Sequence, residues 1–472
     1  MSRPEADQLL TRRRRAGVLL ICSMSLFIVG LDITAVNVAL PAIGEDLDAS
    51  LSWLQWSVSA YTVVMASLLL LSGSMADRLG RRRTLITGMS VFSIASLLCS
   101  LAPTVELLVA ARVLQGVGAS MLNPVAMSII TNTFTDPRER AQAVGIWGAV
   151  FGASMALGPI VGGALVSSAG WEWIFLINVP LGLTAVVLLL RFVPESRAPR
   201  ARRFDPAGQL LVVVLLASVT YGIIEGPNAG WTSPSILAVF SASVASLVAL
   251  LLHEPRRDEP LVDLRFFRSI PFSSSIALSV AAFAAFGGFL FLTTIYLQDA
   301  RGLSAVEAGL AMVPIALMIM LVSPLSGRIV GRRGPRAPLA IAGLCFGLAC
   351  SMLAGVSAAT PFGWLVAAYT VFGIGFGFVN APITNAAISG MPVAQAGVAA
   401  AIATTSRQFG QALGVAIVGA IVVSGAGATA AWWTLTGLGG LVLALGLLAT
   451  GGRAKDSARR VAVQLNPGAA AT

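Results

Sequence analysis

Charged residues are scarce in this 472-residue chain, and the groups that carry enzymatic chemistry are scarcer still. Only 11% of the residues are charged, and the single histidine, His253, stands at the end of an apolar run beside other charges. The four cysteines, Cys22, Cys99, Cys345 and Cys350, lie inside apolar runs without the clustered partners that a metal site needs. No GxxxxGK[ST] nucleotide loop occurs. The sequence therefore predicts no enzyme, no metal and no cofactor.

Apolar residues, in contrast, are abundant in this chain. They account for 56% of the sequence, the mean hydropathy is +0.85 and there are 48 glycines, a composition typical of a polytopic helical membrane protein. The net charge of +10 does not indicate a nucleic-acid partner, because the basic residues stand in short loops between apolar runs.

Fourteen apolar runs are each near the ~20 residues that a membrane-spanning helix needs. The first run is too long for a secretory signal and no small-residue cleavage site follows it cleanly, so we predict an uncleaved first helix. The predicted fold is an all-α polytopic membrane protein whose spans cover roughly residues 16–40, 53–74, 84–103, 105–133, 141–168, 173–193, 208–226, 233–253, 272–298, 304–327, 337–358, 362–389, 397–424 and 430–450.

Arginines indicate the orientation of these spans. Of the 31 Lys and Arg, all but Arg112, Arg301 and Arg407 fall in the two tails or in alternate loops. The opposite loops carry acids, or Pro, Gly and Trp. By the positive-inside rule, both termini should be cytoplasmic, in a bacterial plasma membrane.

An internal repeat divides the chain. Phe151-Gly152 and Ala156-Leu157-Gly158 in the fifth span are echoed by Phe409-Gly410 and Ala412-Leu413-Gly414 in the thirteenth. This echo predicts two six-helix halves, with spans 7 and 8 as an inserted pair. The predicted domains are an N-terminal tail 1–15, a first half 16–193, a linker with the inserted pair 194–268, a second half 269–450 and a C-terminal tail 451–472.

The loop after the second span joins glycines, one acid and several arginines at fixed spacing. Two glycines allow a close turn, Asp77 can accept hydrogen bonds from a neighbouring helix N-terminus, and arginines hold the loop on the cytoplasmic side. A basic juxtamembrane patch would explain only the arginines. The segment resembles the cytoplasmic loop signature of the major facilitator superfamily, and the predicted gate loop comprises Gly73, Asp77, Arg78, Gly80, Arg81 and Arg82.

Three further motifs resemble the fourteen-spanner drug:proton antiporter branch of that superfamily. The segment 31–41 of span 1 looks like its first-helix signature, with Asp32 at the position of the membrane-embedded acid. The segment 112–118 of span 4 is similar to the motif whose arginine, here Arg112, takes part in proton coupling. Span 5 is similar to the antiporter motif, which is usual in exporters, through Gly152, Gly158, Pro159, Gly162 and Gly163.

The resemblance implies a proton-driven exporter of drug-like amphipathic compounds or antibiotics that works by alternating access. A dedicated exporter of one endogenous metabolite is the alternative within transporters. A membrane sensor without transport is less favoured, because both tails are too short to fold alone. The expected partners are a small-molecule substrate, protons and the lipid bilayer, and we expect a monomer.

Physical chemistry restricts the charged residues within the spans independently of any family. An ionised Asp near the bilayer centre costs about 2.5–3.5 kcal/mol on insertion scales, so Asp32 must face a polar cavity or a partner. Arg112 is the nearest candidate counter-charge in sequence terms. A static hydrogen bond from Asp32 to Asn37 or Thr34, and an Arg112 that snorkels outward, are the alternatives.

Other polar and aromatic residues of the spans are candidates for a substrate cavity. Glu225 can equally be an interfacial acid, and Tyr61 can belong to an outer aromatic belt. Arg407 lies deep enough to need a partner, for which we expect an opposite charge. The full candidate set is Asn37, Tyr61, Gln115, Asn123, Trp147, Glu225, Asn380, Arg407 and Gln408.

Overall fold

The computed structural model describes residues 12–197, 204–257, 259–389, 391 and 393–465. Within them, 14 helices are long and apolar enough to cross a membrane, which confirms the predicted number of spans. We number them in chain order as spans 1 to 14: Arg14–Asp46, Leu51–Leu79, Arg81–Ser100, Val105–Thr133, Gln142–Ala169, Trp173–Phe192, Pro206–Ala229, Pro234–Arg256, Ile270–Ala300, Ala305–Arg333, Arg336–Leu353, Phe362–Ile388, Gly397–Val423 and Gly427–Leu448.

Spans 4 and 12 are each broken in the middle. Span 4 consists of Val105–Ser120 and Leu122–Thr133, and span 12 consists of Phe362–Gly377 and Asn380–Ile388. Proline is the third residue of each second segment, and it lacks the N–H that would continue the helical ladder. The same interruption in both spans agrees with the repeat seen in the sequence.

The packing of the first six spans matches that of the last six. Span 1 packs on span 5, span 2 on span 4, and span 3 on spans 4 and 6. In the same way, span 9 packs on span 13, span 10 on span 12, and span 11 on spans 12 and 14. Between these halves, span 2 meets span 13 and span 5 meets span 10. The residue boundaries proposed for the domains stay a prediction.

The inserted spans 7 and 8 pack on each other, and span 7 also packs against spans 2 and 13. Asp205 begins span 7 by accepting a hydrogen bond from the Gly208 N–H at 3.1 Å. His253 Nε2, at the end of span 8, lies 2.9 Å from Asp205 Oδ2, and Arg257 Nη2 lies 3.2 Å from Asp205 Oδ1. Burial raises the pKa of Asp205, but the hydrogen bonds from Gly208, His253 and Arg257 outweigh it and lower that pKa below its usual value.

The two halves are in close contact at the end opposite the arginine-rich loops, which we call the far end. There, a Cβ on Gly163 of span 5 would overlap the carbonyl group of Ala305 of span 10. Gln298 Nε2 also donates to the Val38 carbonyl at 2.8 Å, and thereby joins span 9 to span 1. The far end is therefore closed.

Spans 5 and 10 leave open space toward the other end, which we call the Arg-rich end. A Cβ on Gly145 or Gly148 of span 5, or on Gly327 or Gly331 of span 10, would meet no atom within 4 Å. The segment 142–149 of span 5 is exposed on more than one face. The structure thus has its opening between the halves at the Arg-rich end.

A helix also forms in the C-terminal tail, over Gly452–Leu465. It packs against the start of span 9, where the Ile270 N–H donates to Ser457 Oγ at 3.0 Å. This part of the tail therefore docks on the membrane-spanning bundle.

Candidate functional site

Asp32 of span 1 lies in a buried network within the first half and is 0% exposed. Its Oδ2 accepts from Arg112 Nη1 at 2.7 Å. Its Oδ1 accepts from Gln115 Nε2 at 3.0 Å and from Asn178 Nδ2 at 3.2 Å. The carboxylate is thus held by spans 1, 4 and 6, and it faces a partner rather than an open cavity.

Arg112 is 1% exposed and points into the protein. Its Nε donates to the Ser57 carbonyl at 2.8 Å, and its Nη1 donates to Gln115 Oε1 at 2.5 Å as well as to Asp32. The guanidinium carbon lies 4.2 Å from the centroid of the Tyr61 ring. A buried ion pair is tolerable when further hydrogen bonds and a π face satisfy both charges. The snorkelling alternative is wrong.

Asn37 and Thr34, the alternative static partners of Asp32, bond elsewhere. Asn37 Nδ2 donates to the Ile33 carbonyl at 2.7 Å, and Thr34 Oγ1 donates to the Gly30 carbonyl at 3.0 Å. Both bonds stay within span 1, so that alternative is also wrong. Asn178 was missed by the sequence reasoning, because only the fold brings span 6 beside span 1.

The corresponding place in the second half is apolar. Where spans 1, 3, 4 and 6 hold the polar network, spans 9, 11, 12 and 14 hold stacked aromatic rings. Phe289 and Phe372 are 3.6 Å apart between ring centroids, Phe346 and Phe372 are 4.9 Å apart, and Trp432 stands 5.6 Å from Phe289. A buried ion pair thus occupies this place in the first half only.

The glycines of span 5 determine how closely this helix approaches its neighbours. A Cβ on Gly158 would overlap the Thr34 side chain, and one on Gly162 would overlap Ala35, so both allow span 5 to lie against span 1. Gly163 instead faces span 10. Gly152 has no atom within 4 Å of a Cβ and packs against nothing.

Pro159 of the same motif also contributes to the closed far end. A Cβ on Gly309 of span 10 would overlap the Pro159 carbonyl group. Pro159 stands inside the helix, where it removes one backbone hydrogen bond. The motif therefore joins span 5 both to span 1 beside Asp32 and to the second half.

Asp77 of the predicted gate loop pairs within the loop itself. Its Oδ1 accepts from Arg81 Nη2 at 3.0 Å. The N-terminus of span 3 is capped by Glu195 instead, which accepts from the Arg82 N–H at 3.0 Å and from the Arg83 N–H at 3.2 Å. Gly80 takes a φ of +112°, so the turn requires a glycine there. Glu195 was missed because it follows span 6, more than a hundred residues along the chain.

We expect Asp77→Asn to shift the protein toward states open at the Arg-rich end. The Asp77–Arg81 pair is partly exposed and contributes only about 0–1 kcal/mol to stability. We expect Asp77 to cap a helix of the second half when the Arg-rich end closes. Such a cap would stabilise that conformation by about 0.3–2 kcal/mol, and Asp77→Asn would remove the stabilisation from that conformation alone. Spin labels at Arg83 and Arg333 should report a longer mean distance.

Glu45→Gln is the matched control for this change, since Glu45 is an exposed acid at the far end. The mean distance between the labels at Arg83 and Arg333 should be the same in Glu45→Gln as in the unchanged protein. An unchanged distance in Asp77→Asn would remove the gating role of Asp77.

Arg407 of span 13 has neutral partners. Its Nη2 donates to Thr404 Oγ1 at 2.8 Å, and its Nη1 donates to Asn380 Oδ1 and Thr384 Oγ1, both at 3.3 Å. Phe283 has its ring centroid 6.0 Å from the guanidinium carbon. No carboxylate of the described residues comes within 4.0 Å, so the expected charge partner is wrong.

Several candidate cavity residues are not among those that line the apolar pocket between the halves. Tyr61 and Gln115 are 0% exposed within the ion-pair network, so Tyr61 belongs to neither an outer belt nor a cavity wall. Asn37 is 3% exposed. Glu225 of span 7 accepts from Trp56 Nε1 at 2.7 Å and so joins the inserted pair to span 2.

Five candidates have buried polar atoms without a protein partner among the described residues. These atoms are Asn37 Oδ1, Tyr61 OH, Asn123 Oδ1, Trp147 Nε1 and Gln408 Oε1. Such atoms are usually satisfied by water or by a ligand, so they keep Asn123, Trp147 and Gln408 as candidates.

A small apolar pocket, with a volume of about 20 Å³, lies between the halves just inside the closed far end. Spans 1, 5, 9 and 10 contribute its walls. It is lined by Thr34, Met155, Pro159, Phe286, Leu290, Met312, Ile315, Ala316 and Ile319. Its Thr34 stands two residues from Asp32 along span 1, and Asp32 itself does not line the pocket.

Comparisons with known proteins agree with this architecture. A family model described as Major Facilitator Superfamily matches residues 22–415. The chain is 36% identical over 412 residues to multidrug resistance protein Stp of Mycobacterium tuberculosis (strain CDC 1551 / Oshkosh), covering 87% of this chain and 76% of Stp. It is 36% identical over 417 residues to the tetracenomycin C resistance and export protein of Streptomyces glaucescens, covering 88% and 77%.

Solved structures agree on the fold. A crystal structure of a POT family transporter in complex with 5-aminolevulinic acid superposes with a TM-score of 0.70 at 16% identity, covering 92% of this chain and 95% of that one. At this identity the likeness concerns the fold alone. Together with the family match and the two relatives, it leads to one conclusion: the chain belongs to the Major Facilitator Superfamily.

Proposed function

We propose that the protein is a secondary active exporter of drug-like, amphipathic compounds or antibiotics in a bacterial plasma membrane. The observation that carries the proposal is the arrangement of the two halves, which are in contact at the far end and leave open space between spans 5 and 10 at the Arg-rich end. Two such halves can expose one site to either side in turn, as alternating access requires. Relatives named for multidrug resistance and for antibiotic export support the direction of transport.

Proton coupling is the second part of the proposal, with Asp32 as the proton acceptor. Protonation of Asp32 cancels its charge and leaves Arg112 with only neutral acceptors. Breaking a buried ion pair costs about 3–5 kcal/mol, and about 5.5 kcal/mol moves a two-state equilibrium from 1:99 to 99:1. One proton at this site therefore supplies a free energy of the size that switching requires.

A short path of contacts links this ion pair to the far end. Thr34 stands two residues after Asp32 in span 1 and touches Gly158 of span 5. The next residue, Pro159, touches Gly309 of span 10. A change in the packing of span 1 against span 5 thus acts directly on the contact that closes the far end.

The test of the function is uphill transport in everted membrane vesicles, with and without an uncoupler. Energised vesicles should accumulate the compound, and the uncoupler should abolish the accumulation. Vesicles that never accumulate any of a broad panel of amphipathic compounds would contradict the proposal.

A dedicated exporter of one compound is the second candidate, since the Streptomyces glaucescens relative is named for a single antibiotic. A substrate panel in an efflux-deficient host separates the two. Resistance to one scaffold alone supports the dedicated exporter, and resistance to several unrelated scaffolds supports the broad one.

The arginine asymmetry also predicts the orientation in the membrane. Single cysteines at Asp48 and Asn228, both exposed at the far end, should label from outside with an impermeant thiol reagent. A cysteine at Arg333, exposed at the Arg-rich end, should label only after permeabilisation.

The native cysteines are removed first, since Cys345 is partly exposed. Labelling of position 228 only after permeabilisation would contradict the proposed orientation of the inserted pair.

A further inference from the structure

Arg407 carries a positive charge deep in span 13 that no carboxylate of the described residues balances. Arg407 is partly exposed, whereas Arg112 is 1% exposed. Its three hydrogen-bond partners, Thr404, Asn380 and Thr384, are all neutral. A cation in a low-dielectric site gains most from a charged acceptor, and the described part of the chain provides none here.

No other charge within the spans compensates for it. In the described residues, only Asp32, Arg112 and Arg407 are charged and lie about two turns or more from both ends of their spans. Asp32 is already paired with Arg112 at 2.7 Å and is 0% exposed. Among the described residues, Arg407 is therefore the one charge at this depth without an opposite charge beside it.

Apolar surface continues from Arg407 toward the far end. The guanidinium carbon lies 6.0 Å from the Phe283 ring centroid, and Phe283 lies 6.5 Å from Phe286, which lines the apolar pocket. The cation thus stands on the side of the pocket that faces the Arg-rich opening. A ligand whose apolar body lies along the Phe283 and Phe286 rings would place its polar end near Arg407.

We propose that Arg407 binds the negative group of the transported compound, and that the substrates are amphipathic organic anions with an aromatic or aliphatic body. This inference rests on the proposed export function. A carboxylate, sulfonate or phenolate accepts charge-assisted hydrogen bonds from the guanidinium and replaces its weaker neutral partners. A cation of the same shape meets a like charge and is selected against.

Three probes with one ring system test the charge preference. They are 8-anilinonaphthalene-1-sulfonate, which is an anion, N-phenyl-1-naphthylamine, which is neutral, and a quaternary ammonium derivative of the latter. Binding is measured by fluorescence on the full chain in lipid nanodiscs, without any gradient. The sulfonate should bind at least about tenfold more tightly than the ammonium compound, because a charge-assisted hydrogen bond contributes that much.

Arg407→Gln should weaken sulfonate binding by about tenfold to a hundredfold and change binding of the neutral probe by less than about threefold. Arg407→Lys, which keeps the charge, should retain part of the sulfonate affinity. Arg336→Gln is the matched control, since Arg336 is exposed at the start of span 11, and it should bind all three probes like the unchanged protein.

Two results would overturn the inference. One is sulfonate binding that is absent or equal to that of the ammonium compound, and the other is sulfonate binding that Arg407→Gln leaves unchanged. Failure of the export proposal looks different, because the sulfonate would still bind through Arg407 but no probe would accumulate in energised vesicles. Accumulation of the ammonium compound alone would support export and reject the anion preference.

Discussion

Uphill efflux should disappear in Asp32→Asn, while substrate binding and downhill exchange remain measurable. Asn keeps the size of the side chain and can still accept a hydrogen bond from Arg112, but it cannot take up a proton. Coupling requires that protonation and substrate favour different states of one protein, so a site that no longer titrates leaves the cavity without a driving force. Transport in everted vesicles, with and without an uncoupler, measures the loss.

Stability must be separated from coupling in this experiment. Asp32→Asn leaves Arg112 buried and unpaired, and breaking such a pair costs about 3–5 kcal/mol. The double variant Asp32→Asn/Arg112→Gln removes both charges and should regain much of the stability that either single change loses. It should still fail to pump uphill, which assigns the loss to the proton site and not to misfolding.

Asp32→Glu provides the complementary control, because it keeps a titrating group. It should pump partially, with a shifted pH dependence of efflux. If Asp32→Asn, inserted at normal levels, still accumulates substrate against a gradient, Asp32 is structural and the proton site lies elsewhere.

The sequence predicted the number of spans, and it named Arg112 as a candidate partner of Asp32 while two alternatives stayed open. Apolar runs of membrane length predict helices directly, and the cost of a charge in lipid requires Asp32 and Arg112 to find partners. Those two were also the natural pair, because the spans offer few other charges. The free-energy cost of a charge in lipid thus limited the possible partners of Asp32 and Arg112 without any knowledge of the fold.

Residues that act through tertiary contacts could not be predicted from the sequence. Asn178 joins Asp32, and Glu195 caps span 3, only because span 6 returns beside spans 1 and 3. For Arg407, the depth in the span correctly predicted that the charge has partners, but the partners are neutral oxygens and not the expected carboxylate. Burial cost predicts that a charge is satisfied, and it does not predict by what.

Efflux should also fall at least about tenfold in Gly163→Ala/Gly309→Ala, with normal expression. Both added methyl groups would overlap backbone carbonyls, of Ala305 and of Pro159, which cannot move aside as a flexible side chain does. Overpacking of this kind costs about 1–3 kcal/mol, and 1.4 kcal/mol is a factor of ten in an equilibrium constant. The overlap exists only while the far end is closed, so the cost falls on that state and not on the fold.

Spin labels at Ser50 and Ser424 report the far end directly, since both residues are exposed there and lie in different halves. The mean distance between the labels should increase in the double variant.

Gly152→Ala is the matched control, because it makes the same substitution in the same motif at a site with no atom within 4 Å. Efflux and label distance should then stay as in the unchanged protein. If the double variant pumps normally at an unchanged distance, the contact between spans 5 and 10 does not control access. If Gly152→Ala loses as much efflux as the double variant, the motif acts through something other than this contact.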